Sequence, residues 1–189
     1  SATFRMQSFM NDLLEFSKLT TEDSPFVKID FNKIIEGTLS DLETRINESQ
    51  GTINVDTLPG IEADPFQMHQ LFQNLVSNAL KYRKEDVDPV INISAQSDGN
   101  SHVIIKIKDN GIGIFRKIKN ALGLGDERES ALHLSKGKFT TDPDNHTGEG
   151  IFFTSRAFDC FHIFTRGISY ARDNWEEDWF IETGQASQK

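Results

Sequence analysis

The sequence predicts an α+β protein in which a mixed β-sheet carries helices on one face. Segments with apolar residues at steps of three and four are interleaved with short segments in which apolar and polar residues alternate. The first pattern is typical of amphipathic helices and the second of half-buried strands. Their order favours one sheet covered by helices, and a share of 37% apolar residues is enough for its core.

The elements predicted before residue 64 are two helices and three short strands. The N-terminal helix has Phe9, Leu13 and Phe16 on one face. Asp30 or Asn32 is placed to cap the second helix. In chain order, the segments are a helix at 4–19, a strand at 26–31, a helix at 33–50, and strands at 52–55 and 61–63.

A longer helix is predicted to begin at Asp64-Pro65, because proline suits the first helical turn. Its inward residues are Met68, Leu71, Phe72, Leu75, Val76, Ala79 and Leu80. A hairpin, two short helices, a further helix and three strands follow. This helix and the later elements are predicted at 64–84, 90–97, 102–108, from 115, from 127, 148–159, 161–165, 168–173 and 179–183.

Composition argues against two classes of partner. A net charge of −9 with scattered basic residues disfavours nucleic acid. No apolar run approaches the roughly 18 residues that a membrane span needs. The single cysteine, Cys160, lies among Phe158, Phe161 and Phe164 and is interpreted as a buried small hydrophobe. Because a lone cysteine forms no internal disulfide, the cytoplasm is the expected compartment.

The helix at 64–84 carries an unusual polar face. Asn74 and Asn78 are one turn apart, and Lys81 and Tyr82 follow within the next turn. Amide oxygens can coordinate Mg²⁺ together with phosphate oxygens, and a lysine supplies positive charge for a polyphosphate. The alternative is a polar face that is satisfied by hydrogen bonds within the protein.

Two glycine-containing segments follow this helix. In DNGIGI, Asp109 ends a strand, and Gly111 and Gly113 let a ligand approach the backbone closely. A carboxylate can accept a hydrogen bond from an exocyclic amine such as that of adenine. Gly148 and Gly150 open a predicted helix, and helix N-termini bind phosphate. Taken singly, each segment could also be an ordinary turn or a loop-to-helix junction.

In this order, the three segments resemble the Bergerat ATP-binding fold, a two-layer α/β sandwich. QMHQLFQNLVSNALKY at 67–82 is similar to the N box of histidine kinases, and DNGIGI is similar to the G1 box. Lys138-Phe139-Thr140 lies at the position of the F box, and TGEGIFF at 147–153 resembles the G2 box. The resemblance covers residues 26–183.

The resemblance implies a binding site for ATP or ADP with Mg²⁺. Asn78 would hold the magnesium ion, with Asn74 beside it, and Lys81 would contact phosphate. Tyr82 would lie near the base or ribose, and Asp109 would bind the adenine amine. The remaining residues of the implied site shape the base pocket or cradle phosphate, and they are Gly111, Gly113, Thr147, Gly148 and Gly150.

The sequence departs from the pattern of a complete sensor kinase. Residues 1–22 resemble only the end of a dimerisation helix, and no histidine has the surroundings of a phosphoacceptor. The five histidines, interpreted as surface or core residues, are His69, His102, His133, His146 and His162. Asn74 stands where ATP-hydrolysing relatives carry a glutamate general base, so hydrolysis is expected to be slow and no catalytic residue is assigned.

The two halves of the chain resemble different relatives. Residues 1–114 are similar to a phytochrome-type sensor kinase, whereas residues 115–183 are similar to the ATPase portion found beside STAS-like regulatory domains. The sequence is therefore interpreted as an ATP-binding domain at 26–189 with a mosaic joint near 109–115, either engineered or natural.

Three functions follow as hypotheses. The first is a histidine-kinase-type domain that binds nucleotide, turns over little alone and donates phosphate to a separate histidine-bearing helix or to a partner such as a response regulator. The second is an anti-sigma-type Ser/Thr kinase that acts on a STAS-like partner. The third is a scaffold that forms a homodimer through the apolar face of residues 4–19 and has a vestigial pocket.

Overall fold

A computed structural model describes residues 26–97, 102–135, 155, 158–176 and 178–183. The described residues divide into two compact units, of which one ends at Ile112 and the other begins at Gly113. This boundary falls inside the segment where the sequence suggests a joint, although it describes packing and not origin. The helix predicted at 4–19 lies outside the described residues, as does most of the helix predicted at 148–159.

Three helices and five strands make up the described residues of the first unit. In chain order they are β1 (Val27–Asp30), α1 (Phe31–Asp41), α2 (Glu43–Ser49), β2 (Thr52–Val55), β3 (Gly60–Ala63), α3 (Pro65–Lys81), β4 (Val90–Ser97) and β5 (Val103–Asp109). Apart from the division of one predicted helix into α1 and α2, these elements match the predicted ones within a few residues. Asp30 is the cap of α1, where its carboxylate accepts from the backbone N–H of Asn32 at 3.0 Å.

The helix predicted at 33–50 is divided in two at Leu42. Leu42 is buried and has left the helical conformation, with φ −95° and ψ 3°. Four residues earlier, the buried Thr38 donates its hydroxyl to the carbonyl of Ile34 at 2.9 Å, a bond that competes with the regular helical ladder. The second helix ends where Gln50 adopts the left-handed conformation at φ 55°.

The α+β class and the mixed sheet are confirmed. β2 is parallel to β4, and β4 is antiparallel to β5 with Ile91 opposite Asp109. Ile91 and Ile93 are buried while Asn92 between them is exposed, so one face of β4 points into the core. The strands in the described part of the chain are distributed over three sheets instead of one, and β1 and β3 pair with each other over all four of their residues.

Part of the core of the first unit lies between α1 and α3. Phe31 and Phe72 are fully buried, and their rings meet edge to face with centroids 5.4 Å apart. Ile35, Val76 and Leu80 complete this contact region as buried residues. Of the seven residues predicted to point inward on α3, five are buried, and Leu75 and Ala79 are only half-buried.

The described residues of the second unit form two helices and an antiparallel sheet. Its elements are α4 (Ile114–Leu122), α5 (Glu127–Ser135), β6 (Cys160–Thr165), β7 (Ile168–Asp173) and β8 (Asp178–Thr183). The buried residues that form its core are Phe115, Ile118, Ala131, Leu134, Ile168 and Tyr170. None of the helices in the described part of the chain is long and apolar enough to cross a membrane.

The prediction that Cys160 is buried is wrong. Alternation along β6 places Cys160, His162 and Phe164 on the exposed face, whereas Phe161 and Ile163 point toward the core. Partial desolvation, together with the carboxylates of Asp173 and Asp159, raises the pKa of the Cys160 thiol and disfavours the reactive thiolate.

Replacing Gly37 by Ala is expected to stabilise the first unit by about 0.5–1 kcal/mol, because glycine inside a helix costs backbone entropy. A Cβ at this position in α1 would meet His69 at ordinary contact distances of 3.5 and 3.6 Å. Urea denaturation measures the change. Gly51→Ala is the contrasting variant, since its Cβ would lie 2.8 Å from the buried Leu80 side chain. Equal effects of the two substitutions on the free energy of unfolding would contradict the difference in space around the two glycines.

Candidate functional site

The helix that carries the predicted polar face has a fixed start and end. The buried carboxylate of Asp64 accepts hydrogen bonds from the backbone N–H groups of Phe66 at 2.8 Å and Gln67 at 3.1 Å. The last helical hydrogen bond runs from the N–H of Tyr82 to the carbonyl of Asn78 at 2.9 Å. Helix α3 therefore ends three residues before the predicted position, and Tyr82 follows as its C-terminal cap.

The end of α3 presents three of the predicted nucleotide-binding residues. Asn78 and Tyr82 are half-buried, and Lys81 is exposed with its ammonium 5.5 Å from the centroid of the Tyr82 ring. The side-chain amide of Asn78 makes no hydrogen bond to another described residue. It can therefore supply an amide oxygen to a cation without breaking a contact of the described fold.

Asn74 lies one turn earlier and borders a different surface. It lines a groove of about 470 Å³ together with residues of α1, α2 and the segment between them, among them Asp41, Arg45 and Glu48. The guanidinium of Arg45 donates to the Ser77 hydroxyl across this groove. The placement of Asn74 beside a bound magnesium ion stays a prediction.

The turn after β5 is attached directly to the end of α3. Asp109 is exposed, and its Oδ1 accepts from the N–H of Gly111 at 2.7 Å. The N–H of Ile112 donates to the carbonyl of Tyr82 at 3.1 Å. These bonds bring the DNGIGI turn and the polar end of α3 together, as the prediction of a shared site requires.

Gly111 is required by this close approach. A Cβ at this position would lie 2.7 Å from both the Tyr82 carbonyl oxygen and Asp109 Oδ1. Gly111→Ala is expected to destabilise the first unit by about 1–3 kcal/mol, because the clash involves backbone. Gly125→Ala is the control, since among the residues that the structure describes its Cβ would meet only Glu129 Oε1, at 3.6 Å. If chemical denaturation gave both variants the same stability, the close approach would be refuted.

Gly113 belongs to the second unit and caps the start of α4 with φ 85°. A Cβ at this position would clash with the hydroxyl oxygen of Thr165 in β6, so packing within that unit also demands glycine. The predicted role of Gly113 in a base pocket remains a prediction. Thr147, Gly148 and Gly150 lie outside the described residues, as do the predicted F box residues.

One residue of the turn was not selected from the sequence. Asn110 uses both ends of its amide: Oδ1 accepts from the N–H of Val90 at 3.0 Å, and Nδ2 donates to the carbonyl of Asp88 at 3.0 Å. Asparagine beside glycine in a turn commonly makes such bonds to backbone, and this was the available signal.

The histidine on α3 is engaged in a structural contact. His69 Nε2 lies 2.9 Å from Asp41 Oδ2, and Nδ1 lies 3.4 Å from the Thr38 hydroxyl. In the parts of the chain that the structure describes, no group of three His, Cys, Asp or Glu side chains could hold a metal ion. Magnesium prefers oxygen ligands, which phosphate and water also supply.

Comparison with known proteins identifies several similar chains. Residues 63–156 match the family of histidine kinase-, DNA gyrase B-, and HSP90-like ATPases. The chain is 32% identical over 155 residues, or 82% of its length, to cyanobacterial phytochrome A of Nostoc sp.. It is 34% identical over 115 residues, or 59% of its length, to the sensor protein kinase WalK of Staphylococcus saprophyticus. The chain spans 19% of the length of each of these relatives.

The fold is shared with a solved kinase domain. The catalytic domain of histidine kinase ThkA superposes with a TM-score of 0.54 at 17% identity, covering 85% of this chain and 95% of that domain. The sequence matches also cross residues 109–115. The family match runs through 63–156, and the match to phytochrome A must include at least 41 residues beyond residue 114, because it is 155 residues long.

Proposed function

Since this chain belongs, through residues 63–156, to the histidine kinase-, DNA gyrase B-, and HSP90-like ATPase family, we propose that it binds ATP or ADP together with Mg²⁺. It is a histidine kinase-type catalytic domain. The observation that carries the proposal is the bond from Ile112 N–H to the Tyr82 carbonyl. It holds the carboxylate turn at the end of the helix that bears Asn78 and Lys81.

Asp109 is the proposed anchor for the nucleotide base. One carboxylate oxygen, Oδ1, is held by the N–H of Gly111, which fixes the orientation of the side chain. Oδ2 makes no hydrogen bond within the described part of the chain. This oxygen is available to accept a hydrogen bond from the exocyclic amine of adenine.

Asn78 and Lys81 are the proposed phosphate end of the site. Magnesium, when bound, neutralises phosphate charge, and the amide oxygen of Asn78 would be its protein ligand. The exposed ammonium of Lys81 adds positive charge one turn further along α3. Both side chains bind and orient phosphate in this proposal, and neither accepts a proton.

Asn78→Ala is expected to remove most of the gain in ADP affinity that Mg²⁺ provides, because it deletes the proposed metal ligand. The measurement is the ratio of ADP dissociation constants without and with Mg²⁺, which should fall toward one. Gln70→Ala on the same helix is the control and should keep the parent ratio. A parent-like ratio in Asn78→Ala would show that the ion is held elsewhere.

We further propose that the domain donates phosphate to a histidine on a separate helix and has little turnover by itself. Asn74 has an amide where a general base would be needed to activate water. Phosphoryl transfer itself depends mainly on positioning and charge neutralisation, which the site can supply. With radiolabelled ATP, a histidine-bearing dimerisation domain supplied separately should acquire label and this chain should not. Label on this chain, or rapid release of inorganic phosphate, would contradict the proposal.

We also propose partners and a cellular location for the whole protein. A homodimer through residues 4–19, a response-regulator partner and a cytoplasmic location would fit a sensor kinase. The continuity of the family and phytochrome matches across residues 109–115 favours one kinase-type domain over a mosaic. The hypothesis of an anti-sigma-type kinase is correspondingly less favoured. Transfer of radiolabelled phosphate to a serine of a STAS-like protein would support that hypothesis.

A further inference from the structure

We infer that Asn110 is a positioning residue that fixes Asp109 against the base and thereby sets the preference of the site for adenine over guanine; the inference rests on the proposed nucleotide site. Asn110 sits between Asp109, the proposed base anchor, and Gly111, which contacts the end of α3. Its two amide bonds, to Val90 and Asp88, both reach backbone outside the turn.

The backbone to which Asn110 is bound is itself anchored. Pro89, between Asp88 and Val90, is fully buried, and its carbonyl accepts from the N–H of Thr52 in β2 at 2.8 Å. Val90 is the first residue of β4, which pairs with both β2 and β5. A chain of hydrogen bonds therefore runs from β2 through residues 88–90 to the turn, and Asn110 is the link that reaches the turn.

The turn is thus held from two sides. Ile112 bonds to the Tyr82 carbonyl on the helix side, and Asn110 bonds to residues 88 and 90 on the sheet side. With both attachments, Asp109 cannot shift without breaking hydrogen bonds of the half-buried turn. Without Asn110, the turn keeps the bond to Tyr82 and the pairing of Asp109 with Ile91 at the end of β5, but it loses its bonds to residues 88 and 90. The Asp109 side chain then has more freedom to move away from an unfavourable base.

A rigid carboxylate discriminates between purines. Adenine presents an amine donor at its six position, whereas guanine presents an acceptor oxygen there. A fixed Asp109 would accept a hydrogen bond from adenine and repel the guanine oxygen. Preorganisation of this kind contributes to specificity as well as to affinity. If the Asp109 side chain can move away from the guanine oxygen, the repulsion that weakens GDP binding becomes smaller.

The test compares ADP and GDP binding by calorimetry, with Mg²⁺ present, in the parent chain and three variants. Asn110→Ala removes both bonds. Asn110→Asp keeps an acceptor for Val90 and loses the donor to Asp88, so it remains informative if the alanine variant is poorly folded. Asn92→Ala is the control, because it removes one exposed side-chain bond of β4, to Asn54 at 2.9 Å.

We expect Asn110→Ala to weaken ADP binding about tenfold and to weaken GDP binding less, so that the ratio of the two dissociation constants shrinks by several-fold. Asn110→Asp should show the same direction, and Asn92→Ala should match the parent. An unchanged ratio, or equal losses for both nucleotides, would overturn the positioning role.

Amide hydrogen exchange, measured without nucleotide, separates this inference from the proposed function. The Val90 N–H should exchange faster in Asn110→Ala and stay protected in Asn110→Asp, where an acceptor remains. Unchanged protection in Asn110→Ala would overturn the anchoring. If the parent chain bound no ADP while Val90 behaved as expected, the proposed nucleotide site would be refuted and the selectivity role with it, although the anchoring would stand.

Discussion

Asp109→Asn is expected to weaken ADP binding by about 10- to 100-fold, the usual cost of removing a hydrogen bond to a charged group. The substitution keeps an oxygen that can accept from the N–H of Gly111, a bond of 2.7 Å in the parent chain. It replaces the second carboxylate oxygen by an amide NH₂, which cannot accept from the adenine amine. ADP binding should therefore be weakened while the turn remains in place, as calorimetric titration would show.

Two controls separate the loss of the proposed contact with adenine from a general effect of charge or stability. Asp88→Asn removes an exposed carboxylate close to the turn while leaving the backbone carbonyl that Asn110 uses, and its ADP affinity should match the parent. A thermal melt of Asp109→Asn should also match the parent. Equal affinities of the parent and Asp109→Asn would remove Asp109 from the site.

Phe72→Ala is expected to lower the free energy of unfolding by about 3–5 kcal/mol, the range for buried aromatic residues. Phe72 is fully buried on α3 and meets Phe31 of α1 edge to face at 5.4 Å. The substitution leaves a cavity between the two helices that bear most of this core. Because domains are only marginally stable, much of the chain should be unfolded at moderate urea concentrations.

Phe66→Ala is the matched control for this prediction. Phe66 lies on the same helix and is 53% exposed, so its loss should change the unfolding free energy by less than about 1 kcal/mol. Urea denaturation of both variants measures the difference. Similar losses for the two phenylalanines would contradict the placement of the core between α1 and α3.

Much of the fold follows from local pattern. Asp64-Pro65 marks the start of α3 correctly, because capping and the proline conformation are local properties. The break at Leu42 could not be predicted in this way, since Leu42 continues the apolar stripe of the helix before it. Cys160 shows a related limit: apolar residues lie on both faces of β6, and only the packing of α4 and α5 on one face decides which is buried.

For the candidate site, the sequence allowed residue types to be proposed, whereas it did not reveal how they are arranged. Asn78 was selected because an amide oxygen can coordinate magnesium. Asp109 was selected because a carboxylate can accept a hydrogen bond from an amine. The bond between Ile112 and Tyr82 joins residues thirty positions apart, and no local pattern reveals it. The same holds for Asn110, whose partners lie in the preceding loop and strand. Asn74 lines a groove with Arg45 and Glu48, and its predicted place beside magnesium stays a prediction.

The most direct test of the central claim is calorimetric titration of the unsubstituted chain with ADP, with and without Mg²⁺, after circular dichroism has shown that the protein is folded. We expect saturable binding of one ADP per chain, tighter when Mg²⁺ is present. A folded chain that gives no binding heat at any temperature tried, and no shift of its melting temperature with ADP, would contradict the claim that this domain is a functional nucleotide site.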